Sequence, residues 1–209
     1  MADRLKIPPT KSALLGLKRQ VDFLEEGHAL LERKKELLTR LVYERLAQYR
    51  ELRGETTEAV KQAYHWLSIT HMRMGSHKLR LAALAIPLGL EVNILPRSHL
   101  GVEYPSVTAK PLPLQPVGLI GTDASLDETR ERLAHMATLL ARLGESEMAL
   151  WRLLEEQRKT QKRVNALKYN VIPRYRNTIR YIQGALEEEE RNTLFQIKIL
   201  REQSGDQSF

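Results

Sequence analysis

The chain has 209 residues and a formal net charge of +7; 28% of its residues are charged and only 6% are aromatic. This composition favours long helices with one apolar stripe over a thick core, and the lack of cysteine excludes disulfides, thiolate metal sites and cysteine catalysis. The basic balance indicates an acidic partner surface, a nucleic acid or a membrane face. The opening "MADRLKIPPTKS" lacks the apolar run of a signal peptide and no stretch of about 18 apolar residues occurs, which predicts a cytoplasmic protein without a membrane-spanning helix.

Prolines divide the chain into two long arms and a short insert. Pro8 and Pro9 come before the first arm, six of the nine prolines fall between residues 87 and 116, and only Pro173 comes later. We therefore expect an N-terminal tail at 1–11, a first arm at 12–76, a central insert at 77–122, a second arm at 123–203 and a disordered tail at 204–209.

The first arm shows the apolar spacing of a coiled coil. Thr10 or Ser12 can cap its first turn. Counted from Leu14 in alternate steps of three and four residues, most positions are apolar, as in a coiled coil. His28 and Lys35 fall on the same positions, where polar residues are typical of those that fix the register of paired helices. An interruption or kink is expected near Gly54. The apolar positions that form the predicted seam of this arm are Leu14, Leu17, Val21, Leu24, Leu31, Leu38 and Val42.

The insert predicts a small β-hairpin. The runs "LEVNILP" and "VEYPSVTAK" favour strands, "RSHLG" separates them, and prolines in both runs blunt the exposed edges.

The second arm begins near "GTDASLDETRERL", where Thr122, Asp123 or Ser125 can cap the helix. We expect a continuous helix with a bend at Pro173, because proline removes one backbone hydrogen bond and its ring clashes with the carbonyl of Tyr169. The seam residues predicted for this arm are Val164, Leu167, Val171, Tyr175, Ile179 and Ile182.

Two such arms joined by a short insert must pack antiparallel to bury their stripes, which predicts a rod. The expected fold is therefore mostly α: a long antiparallel two-helix coiled coil formed by the N- and C-terminal helices, with a short insert that contains a β-hairpin. Trp66 and Trp151 are expected to pack in its interior.

No pattern in the chain indicates catalysis. The sequence has no phosphate-binding loop, nucleophile elbow, zinc-binding helix or carboxylate cluster, so we expect neither enzyme activity nor a cofactor nor a metal. One surface stands out, because eight basic residues and no acid occur between Glu156 and Glu187. As a hypothesis, a basic face toward an acidic partner is formed by Arg158, Lys162, Arg163, Arg174, Arg176 and Arg180.

Two long segments resemble a known family. "PPTKSALLGLKRQVDFLEEGHALLERKKELL" and "RKTQKRVNALKYNVIPRYRNTIRYIQGALEEEERNTLFQIKILRE" are similar to the D subunit of the V-type/A-type rotary ATPases. The family's N-terminal pattern corresponds to residues 9–15 and 27–35, and its "RVNAL…VIP" pattern lies within residues 162–173. Its last two patterns correspond to residues 179–182 and 190–198.

This resemblance implies a non-catalytic central rotor shaft that couples ATP synthesis or hydrolysis to ion translocation through a membrane ring. The implied partners are the catalytic A and B subunits, the small F subunit and the funnel-shaped C (d) subunit. As a hypothesis, the basic face is then directed toward the ring of A and B subunits. It also implies a cytoplasmic location, peripheral to the membrane, with neither nucleic acid binding nor direct membrane insertion. The open alternatives are the coiled-coil stalk of a secretion or flagellar export ATPase and a basic coiled-coil arm that binds nucleic acid.

Overall fold

The computed structural model describes residues 4–116 and 122–205. Residues 1–3 and 206–209 of the predicted tails, and residues 117–121 of the predicted insert, lie outside the described residues. The elements in chain order are α1 (Lys11–Ala85), β1 (Leu90–His99), β2 (Val102–Pro111), α2 (Ala124–Ala166), a π-helix (Leu167–Val171) and α3 (Ile172–Gly205). The predicted fold class, mostly helical with an antiparallel hairpin in the middle, is confirmed.

The chain forms two compact units. Met1–Glu36 and Arg158–Phe209 make up the terminal unit, and Leu37–Gln157 makes up the central unit.

In the terminal unit, the first part of α1 lies antiparallel to α3. Lys11 Nζ lies 2.8 Å from Glu190 Oε1 near the start of α1, and Glu25 Oε1 lies 2.7 Å from Arg176 farther along. Thr10 caps α1, because its Oγ1 accepts a hydrogen bond from the Ala13 N–H at 3.2 Å.

The segment before α1 lies along α3. The Leu5 N–H donates to Oγ1 of the buried Thr178 at 3.0 Å, and the Arg4 guanidinium stacks 4.2 Å from the centre of the Tyr181 ring. This segment therefore covers part of α3 that α1 leaves open.

The chain stays helical across Pro173 because a π-helix comes directly before it. The Ile172 N–H bonds to the Leu167 carbonyl five residues earlier, which places one more residue in this turn than an α-helix has. A wider turn relieves the clash between a proline ring and the preceding carbonyls. Val164 and Ile172 are both buried, while Val171 is only half-buried, so the extra residue shifts the buried stripe by one position. The bend at Pro173 stays a prediction.

In the central unit, the rest of α1 lies antiparallel to α2. Leu38 and Leu153 share one buried cluster, and Met74 and Leu126 share another. Near the second cluster the buried Thr70 hydroxyl lies 2.7 Å from the Thr129 hydroxyl. Small hydroxyl side chains at this level let two helices approach closely while each polar group keeps a partner.

The start of α2 is capped as the sequence predicts. Asp123 Oδ2 accepts hydrogen bonds from the Ser125 hydroxyl at 2.5 Å and the Ser125 N–H at 3.4 Å, and lies 3.2 Å from Arg73 Nη1. Both contacts lower the pKa of Asp123, the Ser125 hydroxyl contributing more than Arg73.

The helix interruption is at Gly75 rather than at Gly54. The helical geometry of α1 continues through Gly54, so the predicted interruption there is wrong. Gly75 has φ 73° and ψ 160°, a conformation that glycine adopts without a Cβ clash. Helix resumes to Ala85, beyond the predicted end of the first arm at residue 76, because Leu79 and Ala82 pack with Met74 and Leu126. Pro87 then disfavours helix at the residue before it.

The hairpin packs on both helices of the central unit through β2. Val102 is buried with Leu38 and Leu153, and the Val107 N–H donates to Glu145 Oε2 at 3.1 Å. The Leu112 N–H donates to the Gly89 carbonyl, so Gly89 and Leu112 form a hydrogen-bonded pair. Hydrogen-bonded and non-hydrogen-bonded pairs alternate along an antiparallel ladder, and the register therefore makes Pro96 and Pro105 a non-hydrogen-bonded pair. Both proline nitrogens therefore face away from the ladder, where a missing N–H costs no ladder bond.

The hairpin turn is shorter than the predicted "RSHLG" loop. β1 continues to His99, and only Leu100 and Gly101 connect the strands, with φ of 52° and 74°. Positive φ at both central residues is what a type I′ turn requires.

The predicted interior packing of Trp151 is wrong, because 62% of this side chain is exposed; Trp66 is half-buried. The reason is helical phase. Leu150 and Leu153 occupy the buried positions of this turn of α2, and the residue after Leu150 points about 100° away from it.

The hairpin turn gives a test of local strain. Leu100→Asn should raise the stability of the hairpin by about 1 kcal/mol, because asparagine tolerates the left-handed conformation that costs leucine about 1–2 kcal/mol. Gly101→Ala should lower it by a similar amount, since no neighbouring atom lies within 4 Å of an added Cβ and only the backbone opposes the change. Amide hydrogen exchange of the ladder residues would measure both variants. Equal protection in the two would contradict the assigned turn.

Candidate interaction surfaces

The residues predicted for the helix seam differ in burial. Five are buried: Leu17, Val21, Leu38, Val164 and Ile182. The other eight are half-buried: Leu14, Leu24, Leu31, Val42, Leu167, Val171, Tyr175 and Ile179. Their role as one coiled-coil seam stays a prediction.

Three further residues of the terminal unit, outside the predicted seam, are buried. Thr160 and Thr178 are each 1% exposed, and Ile172 is buried one position after the predicted Val171. The seam is predicted from the spacing of apolar residues, and threonines are not among them. Their hydroxyls can be satisfied by the helix itself, as when Thr178 donates to the Arg174 carbonyl at 2.8 Å. For the shift to Ile172, the only signal in the sequence is Pro173.

The six residues of the hypothetical basic face all lie in the terminal unit. Five are exposed and Arg174 is half-buried. Arg176 pairs with Glu25 at 2.7 Å. Within the described part of the chain no carboxylate lies within 4.0 Å of the charged groups of Arg158, Lys162, Arg163 or Arg180. We call these four residues the basic surface. Their charges are solvated and little neutralised by the protein itself.

The last turns of α3 carry exposed apolar side chains. From Glu187 to Arg201 every residue is exposed. The large apolar ones in this stretch are Leu194, Phe195, Ile197, Ile199 and Leu200. Because successive residues of an α-helix lie about 100° apart, these five side chains point all around the helix axis. We call them the apolar tip. A helix that is apolar on every side is normally enclosed by other protein.

The pair formed by Lys11 and Glu190 ties the start of α1 to α3 just before the apolar tip. The Glu190 carboxylate raises the pKa of Lys11, mainly through its hydrogen bond and then through its charge, and Lys11 lowers the pKa of Glu190 in the same way. Both side chains are exposed, so the pair is a local clamp and contributes little to global stability.

The described ranges contain no group of three His, Asp or Glu side chains arranged to hold a metal ion. No helix within residues 4–116 and 122–205 is both long and apolar enough to cross a membrane.

Paired antiparallel helices, a hairpin packed on them and exposed basic and apolar surfaces define a helical protein built to bind other macromolecules. A family model for the ATP synthase D subunit matches residues 13–202. The chain is 33% identical over 205 residues to the D subunit of the A-type ATP synthase of Pyrococcus furiosus, covering 96% of both chains. It is also 33% identical over 199 residues to the D subunit of the V-type ATP synthase of Thermotoga neapolitana, covering 95% of this chain and 98% of that one.

The chain belongs to the family of ATP synthase D subunits, and it is thus a subunit of a rotary A/V-type ATPase. The resemblance seen in its sequence is confirmed.

The clamp between Lys11 and Glu190 should make the start of α1 pH-dependent. Because the pKa of Glu190 is lowered in the folded chain, its contribution is present above the ordinary glutamate value of 4.5 and is lost as the pH falls through the lowered value. Because the pKa of Lys11 is raised, its contribution is present below the ordinary lysine value of 10.5 and is lost as the pH rises through the raised value.

Amide hydrogen exchange at residues 13–15, corrected for the intrinsic exchange rate at each pH, should therefore be slowest between the pH values at which these two contributions are lost. Glu190→Gln should remove the loss of protection in acid. Glu188→Gln is the matched control, because the Glu188 carboxylate lies 4.0 Å from Arg191 of its own helix. If both variants behave alike, the pair does not hold α1 in place.

Proposed function

We propose that this chain is the non-catalytic central rotor shaft of an A/V-type ATP synthase. In this role it couples ATP synthesis or hydrolysis in the ring of A and B subunits to ion translocation through the membrane ring. Its other partners are the small F subunit and the funnel-shaped C (d) subunit. The chain is cytoplasmic and peripheral to the membrane as part of the complex.

The apolar tip is the observation that carries this proposal. Leaving five large apolar side chains in water on all sides of a helix is unfavourable, at about 25 cal/mol for each Å² of apolar surface. A flat partner would cover only one side of such a helix. A ring that encloses the helix end covers every side at once, and the proposed assembly supplies such a ring in the A and B subunits.

The antiparallel pairing in each unit suits the transmission of torque. A single helix bends easily, whereas two helices joined by buried side chains such as Leu17, Val21 and Ile182 resist twisting and bending together. The N-terminal segment adds a third contact to α3 through Leu5 and Thr178. In the proposed rotor these contacts keep the part of the shaft inside the ring from unwinding under load.

The basic surface supports a second contact with the ring, of a different physical kind. Solvated charges interact over about a Debye length, roughly 8 Å at physiological ionic strength, without the close fit that apolar packing needs. Arg158, Lys162, Arg163 and Arg180 can therefore attract acidic loops of the ring and still slide past them during rotation.

Substitution at the apolar tip tests the proposal. The triple change Leu194→Ser, Phe195→Ser and Ile197→Ser should weaken association with a reconstituted ring of A and B subunits about 100-fold, because the three side chains each lose roughly 1 kcal/mol of burial. Its own fold should be unchanged, since all three side chains are exposed. Sedimentation or pull-down with purified A and B subunits measures the association.

The matched control changes polar residues of the same turns, Asn192→Ser, Thr193→Ser and Gln196→Ser, and should bind like the unaltered chain. Equal binding by both triple variants would contradict enclosure of the tip. If the unaltered chain binds nucleic acid and does not bind the A and B subunits, the rotor proposal is wrong.

Reversal of charge tests the basic surface. Arg158→Glu, Lys162→Glu and Arg163→Glu together should slow association with the ring or lower the rate of ATP-driven rotation, and the effect should shrink as salt is added. The control carries the same change of net charge at exposed residues of the central unit: Arg50→Glu, Arg53→Glu and Lys78→Glu. Unchanged assembly, rotation rate and torque in the first variant would show that the basic surface has no role in the ring.

A further inference from the structure

A small cavity in the central unit is separate from the two surfaces described above. It has a volume of about 280 Å³ and lies beside the segment between α1 and β1, the segment after β2, and one face of α2. Its lining is apolar except for Gln115 and Arg130, and includes Ile86, Leu88, Leu114, Leu133, Ala134 and Ala137.

Arg130 is the charged group of this cavity, and it is unusually deeply buried for an arginine. Its side chain is only 7% exposed. Nη2 donates to the Gln115 carbonyl at 2.9 Å, and Nη1 lies 3.3 Å from the exposed Asp127 carboxylate. The buried Nε–H has no acceptor among the described residues. A buried donor on a charged group without an acceptor is costly, so the chain itself satisfies the hydrogen bonds of Arg130 only in part.

The mouth of the cavity is apolar and exposed. Leu88, which lines the cavity, is 86% exposed, and Leu84 just before this segment is 85% exposed. Leu112 and Leu114 are exposed on the other side. Contiguous exposed apolar side chains around a concave site are typical of protein interaction sites.

Arg130 is the only charged residue among the described residues that line the cavity. An acidic partner segment is therefore favoured over a basic one. The cavity volume equals that of roughly nine waters at about 30 Å³ each. It is therefore larger than the single water that one donor would bind, and it is large enough for a large side chain.

We propose that this cavity binds a segment of a partner protein of the complex that inserts an apolar side chain and places a neighbouring carboxylate on Arg130. The apolar side chain fills the space between Leu88, Leu114 and Ala134. The carboxylate pairs with the Arg130 guanidinium. This inference, like the proposed rotor function, requires that the chain is part of the synthase complex. It does not require that the chain rotates.

Reconstitution of the complex from purified subunits and the full-length chain provides the test. Arg130→Met should weaken the capture of one partner protein about ten-fold or more, since it removes the buried charge and keeps most of the apolar volume. Leu88→Ser should act in the same direction, and its exposure means that loss of folding cannot explain the result. The control is Arg132→Met on the same helix, whose guanidinium is 2.7 Å from Glu128 and does not line the cavity.

A second measurement uses sodium octanoate, which joins an apolar chain to a carboxylate, with octanol as the neutral probe. Methyl NMR signals of Ala134 and Ala137 should shift saturably with octanoate, less with octanol, and not with octanoate in Arg130→Met.

The outcomes separate the explanations. If the unaltered chain fails to join the complex, the rotor proposal fails together with this one. If it joins and both Arg130→Met and Leu88→Ser join equally well, only the cavity inference is overturned. Octanoate binding without any effect on capture would overturn it too, by assigning the cavity to a free amphiphile. If capture is unaffected and octanoate does not bind, the inference is overturned and Arg130 holds only bound water.

Discussion

Burial of a single apolar stripe on each long helix is the constraint on which this structure depends. A helix as long as α1 cannot cover its own stripe, so the chain must return antiparallel and supply a second one. The hairpin lies between the two helices in sequence, and its Val102 adds to the burial of Leu38 and Leu153 in the central unit. The same constraint explains the apolar tip: α1 begins at Lys11, opposite Glu190, and the helix that continues past Glu190 has no stretch of α1 left to pair with.

The π-helix before Pro173 controls the phase of everything that follows it on α3. One additional residue in a helix rotates later side chains by about 100° relative to a regular α-helix. With the extra residue, Ile172, Thr178 and Ile182 are buried, and the Leu5 N–H finds the Thr178 hydroxyl. The proline thus has a structural consequence far from its own turn. It selects which face of α3 meets α1 and the N-terminal segment.

Much of this fold could be predicted from sequence because its signals are local. The β-branched runs, the prolines of the insert and the caps at Thr10 and Asp123 each depend on neighbouring residues only. The failures concern phase and tertiary context. The size of Trp151 favours an interior position, whereas the adjacent Leu150 takes the buried one. Gly54 and Gly75 are the same residue type, and only the chain around Gly75 adopts a positive φ. The burial of Arg130 needs three segments that are distant in sequence, so no spacing rule could have found it.

The surfaces left open by this folding differ in the forces that they offer to partners. The apolar tip and the cavity at Arg130 act at contact distance and require a closely fitting partner, because apolar packing and buried hydrogen bonds lose their value within about an ångström. The basic surface acts through solvent and tolerates motion. In the proposed rotor this division has a physical purpose. Close-fitting contacts suit an enclosed helix end and a partner that turns with the shaft, whereas solvated charges suit the sliding boundary with the ring.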